Sequence, residues 1–160
     1  MPLFTADLCD AHPDTVRVAE PVFESYGRPS HFSGRIRTVR VFEDNVLVKE
    51  ALSGAGHGKV LVVDGGGSTR CARLGGNIAA LAAANGWNGI VIYGCLRDVH
   101  EIDETDIGVR AIASCPRKSA KHGRGERDVP LFFAGIDFLP EEYLYADRDG
   151  LIVAEQVLDL

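Results

Sequence analysis

A chain of 160 residues, 46% apolar and 25% charged, reads as one domain over 1–160, with no collagen, coiled-coil or disordered character. A domain of this size hides about 70% of its unfolded surface and needs no disulfide or metal to fold. The longest uninterrupted apolar run, Ile78–Ala84, falls far short of the roughly 20 residues of a membrane span, and the net charge of −6 argues against general nucleic-acid binding, which needs basic surface.

Asp7 and Asp10 stand where a secretion signal would be apolar, so no such signal is expected and the chain reads as cytoplasmic. Thr5–His12 reads as a short helix capped by Thr5 and broken by Pro13. Gly34–Phe42 is β-branched and alternating, a strand. Asp44 and Asn45 can cap a helix that runs to about Leu52. Lys59–Asp64 is a near-continuous apolar run, a buried strand that ends at Gly65-Gly66-Gly67. Gly76-Asn77 opens a helix that Gly86 stops, and Ile90–Tyr93 is a second buried strand. Val109–Ala113, Pro130–Gly135, Ile136–Leu139 and Leu151–Val153 are further strands. That makes about seven strands and three or four helices. The unit from Lys59 to Tyr93 implies a parallel strand pair with a right-handed crossover. The later strands come without helices between them, which implies an α/β domain with a mixed sheet.

Several motifs fail on spacing. GAGHGK at 54–59 lacks the four intervening residues, the Ser or Thr and the helix of a phosphate loop. VLVVDGGGST at 60–69 misses the dinucleotide pattern, and its helix comes late. That mismatch argues against a methyl-donor or nucleotide site. Cys9, Cys71, Cys95 and Cys115 form no CxxC pair and read as reduced, mostly buried residues. No two of the five histidines stand at i, i+4. In the acidic run Asp98–Asp106, the residues Asp103, Glu104 and Asp106 read as a solvated helix face. Asp98 and Glu101 differ, because they follow a buried strand and sit beside Arg97.

Loops at the carboxyl ends of parallel strands are where α/β sheets place ligands. Gly94-Cys95-Leu96-Arg97-Asp98 is read as such a loop. Gly75-Gly76-Asn77-Ile78 opens a helix whose first amides are unpaired and whose dipole end is positive. A strand–helix–strand unit brings both to one edge of the sheet. An anion there can meet the amides of 75–78 and the planar fork of Arg97. Asp98 can hold Mg²⁺, which takes one or two protein carboxylates and keeps its waters.

Gly76, twenty residues, then Arg97-Asp98-Val99-His100-Glu101 resembles the signature of the metal-dependent 4-hydroxy-4-methyl-2-oxoglutarate aldolases. The segments ADLCD (6–10), VRVFEDN (39–45), GKVLVVDGGGS (58–68), GWNGIVIYG (86–94), DIGVRAIAS (106–114), GERDV (125–129) and YADRDGLIV (145–153) are similar to the RraA-like family (regulator of ribonuclease activity A). The resemblance spans essentially the whole chain. It implies a compact layered β/β/α, swivelling-domain-like fold and a ring-shaped homotrimer with sites near subunit boundaries. It implies that Gly75, Gly76, Asn77 and Ile78 bind a substrate carboxylate through their amides, that Arg97 contacts the substrate, and that Asp98 holds Mg²⁺ or Mn²⁺. Many aldolase relatives carry an acidic residue where this chain has Asn77. Family members that act as ribonuclease regulators can lack the motif's Asp, which this chain keeps.

The activity implied is retro-aldol cleavage of a 4-hydroxy-2-oxo-dicarboxylate to pyruvate, with oxaloacetate decarboxylation through the same pyruvate enolate. The general base is open among a metal-bound water, Glu101, His100 and a residue of a neighbouring subunit. None of the lysines, Lys49, Lys59, Lys118 and Lys121, lies in the strand or loop around Arg97, which disfavours a Schiff base. The rival is an acidic trimer that binds and inhibits a ribonuclease complex, a role that needs neither Arg97 nor Asp98. The family's older label as a menaquinone-pathway methyltransferase is disfavoured by the failed methyl-donor loop. Thirteen Arg against four Lys would suit ion pairs between subunits.

Overall fold

The apolar run Lys59–Asp64 has no polar face because the strand it forms is covered on both sides. In the computed structural model, which describes residues 3–160, this strand lies inside a ten-stranded mixed sheet. Met1 and Pro2, which open the stretch expected to carry no secretion signal, lie outside the described residues. The elements in chain order are α1 (Thr5–Ala11), β1 (Val16–Val18), β2 (Glu24–Tyr26), β3 (Phe32–Arg40), α2 (Val46–Leu52), β4 (Lys59–Asp64), β5 (Ala72–Leu74) and α3 (Gly76–Ala84). There follow β6 (Gly89–Leu96), α4 (Val99–Asp103), β7 (Gly108–Ser114), β8 (Glu126–Arg127), β9 (Leu131–Phe133), β10 (Ile136–Phe138), β11 (Tyr143–Ala146) and β12 (Leu151–Ala154).

The sheet runs β1-β12-β11-β3-β4-β6-β7-β2. Its central strands β3, β4, β6 and β7 are parallel, and its flanks are antiparallel. Side chains alternate between two cores, as the period of 2 demands. Leu61, Val63, Ile90 and Ile92 face α2, α3 and α4, where they meet Val48, Leu52, Ala79, Ala82 and Ile102. Val60, Val62 and Val91 face the β9–β10 hairpin and meet Leu131, Phe133 and Phe138. The layers are therefore hairpin, sheet and helices, as the β/β/α expectation has it. Among the described residues no helix is long and apolar enough to cross a membrane.

Several elements depart from the sequence reading. β1, β2, β5, β8 and β11 are two to four residues long, too short to display an alternation, so the described residues hold twelve strands rather than about seven. Pro130–Gly135 is not all strand, because Ala134 and Gly135 take positive φ (50° and 76°) to turn the β9–β10 hairpin. β6 runs on through Leu96, so Gly94–Leu96 are strand and only Arg97 and Asp98 form the turn. The cysteines are free thiols, with Cys71 and Cys95 buried.

Thr5 does not cap α1; the cap is Phe4, and Thr5 is the first helical residue. Its backbone N–H and its hydroxyl both donate to the buried carboxylate of Asp147, at 2.6 and 2.7 Å, and the Asp149 N–H donates to it at 2.9 Å. This contact anchors α1, whose Leu8 packs with Tyr145, Ile152 and Leu158. Burial pushes the Asp147 carboxyl up, but the hydrogen bonds from Thr5 and Asp149 outweigh it and hold the group below its ordinary value. The unfolded chain therefore binds this proton first as pH falls. The stability that Asp147 contributes is complete above about pH 4, the ordinary Asp range, and is lost as pH falls towards the depressed value. Asp147→Asn is expected to cost roughly 1–3 kcal/mol at pH 7, read as a lower melting temperature. The gap to wild type should narrow below about pH 4. An equal gap at pH 3 and pH 7 would contradict the assignment.

Candidate active site

β6 outruns β4. Its last pairing with β4 is Asp64 with Tyr93, and beyond that point β5 takes over the ladder, with Ala72 opposite Cys95 and Leu74 opposite Leu96. Because β5 and β6 are parallel, the turns that leave them lie side by side. One is Gly75, which leads into α3; the other is Arg97-Asp98, which leads into α4. The Arg97 N–H donates to the Leu74 carbonyl at 2.9 Å and ties them together. Asp98 takes the left-handed conformation, φ 58°. Its Oδ2 accepts the N–H of Gly76 at 2.9 Å, so a carboxylate sits at the positive end of α3.

This packing explains the two glycines and their spacing from Arg97. A β-carbon on Gly75 would lie 3.0 Å from Asp98 Oδ2, and one on Gly76 would lie 1.9 Å from Glu101 Oε2. The acidic side chains of the second turn and of α4 occupy the volume that side chains at 75 and 76 would need.

Gly75 is the extended cap of α3 and has no side chain of its own to close the helix start. The Gly76 amide, expected to bind substrate, is taken by Asp98. The Asn77 and Ile78 amides have no intrahelical partner, because they lie in the first turn. Arg97 is half-buried, and its one protein hydrogen bond from the guanidinium goes to the Pro116 carbonyl at 3.5 Å. Among the described residues no carboxylate pairs with it. All six predicted site residues, Gly75 to Ile78, Arg97 and Asp98, line one cleft of about 480 Å³.

The same cleft is lined by Lys49, Lys118 and Lys121, three of the chain's four lysines. Sequence reasoning had placed no lysine near Arg97. The signal was present in the segment 117–122, which holds two lysines and joins β7 to β8. Its approach depends on contacts far apart in the chain. The Ala72 N–H donates to the Arg117 carbonyl at 2.7 Å, and the Ser119 hydroxyl donates to the Ala72 carbonyl. On its other side the segment is held by Asp44, a buried carboxylate that accepts the N–H groups of Val46, His122 and Gly123 at 3.0, 2.7 and 3.1 Å. The cap residue of α2 is Asn45, which makes no side-chain cap bond; Asp44, one position earlier, accepts the Val46 N–H instead and pins the lysine segment to the helix start. Burial pushes the Asp44 carboxyl up, yet its backbone hydrogen bonds hold it below its ordinary value.

A family model described as RraA-like, Aldolase/RraA, matches residues 5–153. The chain belongs to the RraA-like family. A relative from Pseudomonas fluorescens (strain Pf0-1), named as a candidate 4-hydroxy-4-methyl-2-oxoglutarate aldolase, is 54% identical over 156 residues, 98% of this chain and 96% of the relative. A solved structure from Geobacillus kaustophilus HTA426, described as an S-adenosylmethionine:2-dimethylmenaquinone methyltransferase, has a TM-score of 0.95 at 52% identity and covers 97% of this chain and 96% of its own. The structure described as the RNA-processing inhibitor RraA from Thermus thermophilis has a TM-score of 0.94 at 49% identity and covers 98% and 94%.

In this RraA-like chain the glycine loop after β4 is braced at Gly65 by an arginine side chain. The guanidinium of fully buried Arg73 donates to the Gly65 and Cys71 carbonyls at 2.6 and 2.7 Å. Five of the thirteen arginines pair within the chain: Arg17, Arg35, Arg37, Arg40 and Arg70 with Glu142, Glu141, Asp128, Glu126 and Glu43. His100 is exposed and turned towards Glu101, and neither lines the cleft.

The donors suit a hard cation with few protein ligands. Asp98 keeps Oδ1 unbonded, Glu101 lies beside Gly76, and among the described residues no cluster of three or more His, Cys, Asp or Glu exists. Mg²⁺ and Mn²⁺ accept that oxygen set and complete their shell with water and substrate, whereas a structural zinc would need four ligands. Replacing Asp44 by Asn should loosen the lysine segment of this RraA-like site. The expected result is hydrogen exchange at His122 and Gly123 faster by about tenfold or more, following a loss of roughly 1–3 kcal/mol. Unchanged protection at both amides would contradict it.

Proposed function

We propose that this chain is a divalent-metal-dependent aldolase, acting in the cytoplasm, that cleaves 4-hydroxy-4-methyl-2-oxoglutarate into two pyruvates and decarboxylates oxaloacetate as a side activity. The observation that carries the reading is the guanidinium of Arg97, without a carboxylate partner, beside the Asn77 and Ile78 amides and the half-used carboxylate of Asp98. The name borne by the Pseudomonas fluorescens relative supports it.

In this reading the Asn77 and Ile78 amides and the Arg97 fork hold the C1 carboxylate of the 2-oxo acid. Asp98 would hold Mg²⁺ or Mn²⁺, with water and substrate oxygens completing the shell. When bound, the ion supplies Lewis-acid stabilisation of negative charge at the substrate's C2 oxygen. The C4 hydroxyl gives up its proton, the C3–C4 bond breaks, and its electron pair passes into a pyruvate enolate. Protonation at C3 then yields the first pyruvate, and C4, with its methyl and carboxylate, leaves as the second. Arg97 adds fixed positive charge where the enolate forms. A Schiff-base lysine is typically desolvated in an apolar pocket, and the three cleft lysines are exposed. The assembly in this proposal is the homotrimer that the family resemblance implies. Light scattering should then give about three times the 17.3 kDa of the chain.

Asp98→Asn keeps a residue that tolerates the left-handed backbone but removes the charge. Arg97→Lys keeps charge but loses the fork. Each should lower pyruvate release from both substrates by on the order of 10²–10³ with the melting temperature near wild type. EDTA should abolish wild-type activity, and borohydride with pyruvate should trap no adduct. Full activity in both variants would refute the assignment of Arg97 and Asp98, and an absence of pyruvate release by wild type with Mg²⁺ or Mn²⁺ would sink the aldolase reading. That absence would favour a protein-binding role, which needs neither residue, in line with the description of the Thermus thermophilis relative as an RNA-processing inhibitor.

A further inference from the structure

Three of the chain's four thiols gather at the carboxyl end of the sheet. Cys95 is fully buried on β6, opposite Ala72 of β5 on one side and Ala113 of β7 on the other. Cys71 stands one residue before Ala72, and Cys115 two residues after Ala113. The Cys115 N–H continues the β7 ladder by donating to the Leu96 carbonyl at 2.8 Å. Paired residues share a face and faces alternate along a strand, so Cys115 returns to the face of Ala113 and Cys95. Burial, and then the nearby Cys115 thiol, push the Cys95 thiol up, with Arg73 opposing them. The thiols differ in access. Cys71 is buried and touched by the Ser119 hydroxyl at 3.6 Å and the Arg73 guanidinium at 3.8 Å. Cys115 is half-buried just past the end of β7, followed by Arg117 and Lys118, and the Arg97 guanidinium donates to the adjoining Pro116 carbonyl at 3.5 Å. Partly exposed thiols in electropositive surroundings are the ones that oxidants select. Cys9, the other half-buried thiol, sits on α1 near Asp10 and Asp147 instead.

We propose that Cys115 and Cys95 form a peroxide-responsive pair, which closes to a disulfide and draws the 115–117 segment away from the wall of the cleft. Hydrogen peroxide is the oxidant. The Cys115 thiolate attacks one peroxide oxygen, the O–O bond breaks, and the sulfur becomes a sulfenic acid as hydroxide leaves and takes up a proton. The Cys95 thiolate then attacks the Cys115 sulfur. The S–S bond forms, the S–O bond breaks, and the second oxygen leaves as water. One peroxide is reduced to two waters while two thiols are oxidised to one disulfide. Closure needs movement, because diagonal neighbours on one sheet face stand about 7–8 Å apart at their α-carbons, whereas a disulfide spans at most about 6.8 Å. β6 is held by strands on both sides, so Cys115, beyond the last pair of β7 and before a proline, is the partner that shifts. Two carbonyls tie its segment to the cleft: Pro116 to Arg97, and Arg117 to the Ala72 N–H at 2.7 Å. Both lie within two residues of Cys115, and the segment continues into the cleft wall as Lys118 and Ser119. Oxidation therefore loosens that wall, whatever ligand the cleft takes.

The test uses the full chain, treated with a small excess of hydrogen peroxide, quenched and digested without reductant. Peptide mapping should find Cys95 joined to Cys115 within one chain, and dithiothreitol should release the link. Hydrogen exchange at the Ala72 N–H, read by NMR, should be faster in the oxidised protein by about tenfold or more. Cys115→Ser, at a half-buried position outside the core, should abolish the link and make Ala72 exchange insensitive to peroxide. Cys95→Ala should leave Cys115 as a sulfenic acid that dimedone traps. A wild type that stays unlinked, a bond from Cys115 to Cys71 or to another chain, or a Cys95–Cys115 link with unchanged Ala72 exchange would overturn the proposal.

Discussion

The hydrogen bond from the Gly76 N–H to the Asp98 carboxylate is the contact on which the site's architecture depends. It joins the start of α3 to the turn after β6, 22 positions later in the chain. Asp98 reaches Gly76 only because its backbone is left-handed, and Gly75 and Gly76 admit Asp98, Arg97 and Glu101 only because they carry no side chain. The carboxylate satisfies one of the orphan amides of the helix and is stabilised by the helix dipole in return. With one oxygen committed in this way, the other is left for a cation. Two further amides and a guanidinium are left for an anion.

The sheet makes that contact possible. Covering on both faces keeps β4 and β6 rigid, and the three extra residues of β6 beyond β4 create a step that β5 fills. The cleft lies at this step, at the carboxyl ends of parallel strands, where α/β sheets commonly hold ligands. Asp44 performs a similar service on another flank of the cleft. One buried carboxylate both accepts the first amide of α2 and fixes the segment that carries Lys118 and Lys121. Acidic side chains thus act as structural pins here, while most basic side chains of the cleft stay unpaired and available.

Much of this was legible in the residues. The apolar run of β4 and the glycines that bound α3 mark a strand–helix–strand unit, and parallel geometry alone brings Gly75–Ile78 to Arg97 and Asp98. What was hidden has physical reasons. β5 is three residues long and includes Arg73, a residue that seldom lies fully buried, so neither pattern nor composition marks it as a strand. The lysine segment joins the cleft through Asp44 and Ala72, partners 45 to 79 positions away in the chain, which no local pattern encodes. That Asp98 would take the Gly76 amide was also invisible, since it depends on a left-handed turn at a residue other than glycine.

The most direct test of the account is a crystal structure with Mn²⁺ and oxalate, a stable mimic of the pyruvate enolate. The anomalous signal of manganese should lie against the Asp98 carboxylate, with one oxalate carboxylate at the Asn77 and Ile78 amides and within reach of Arg97. Manganese bound away from Asp98, or oxalate seated elsewhere on the chain, would contradict it.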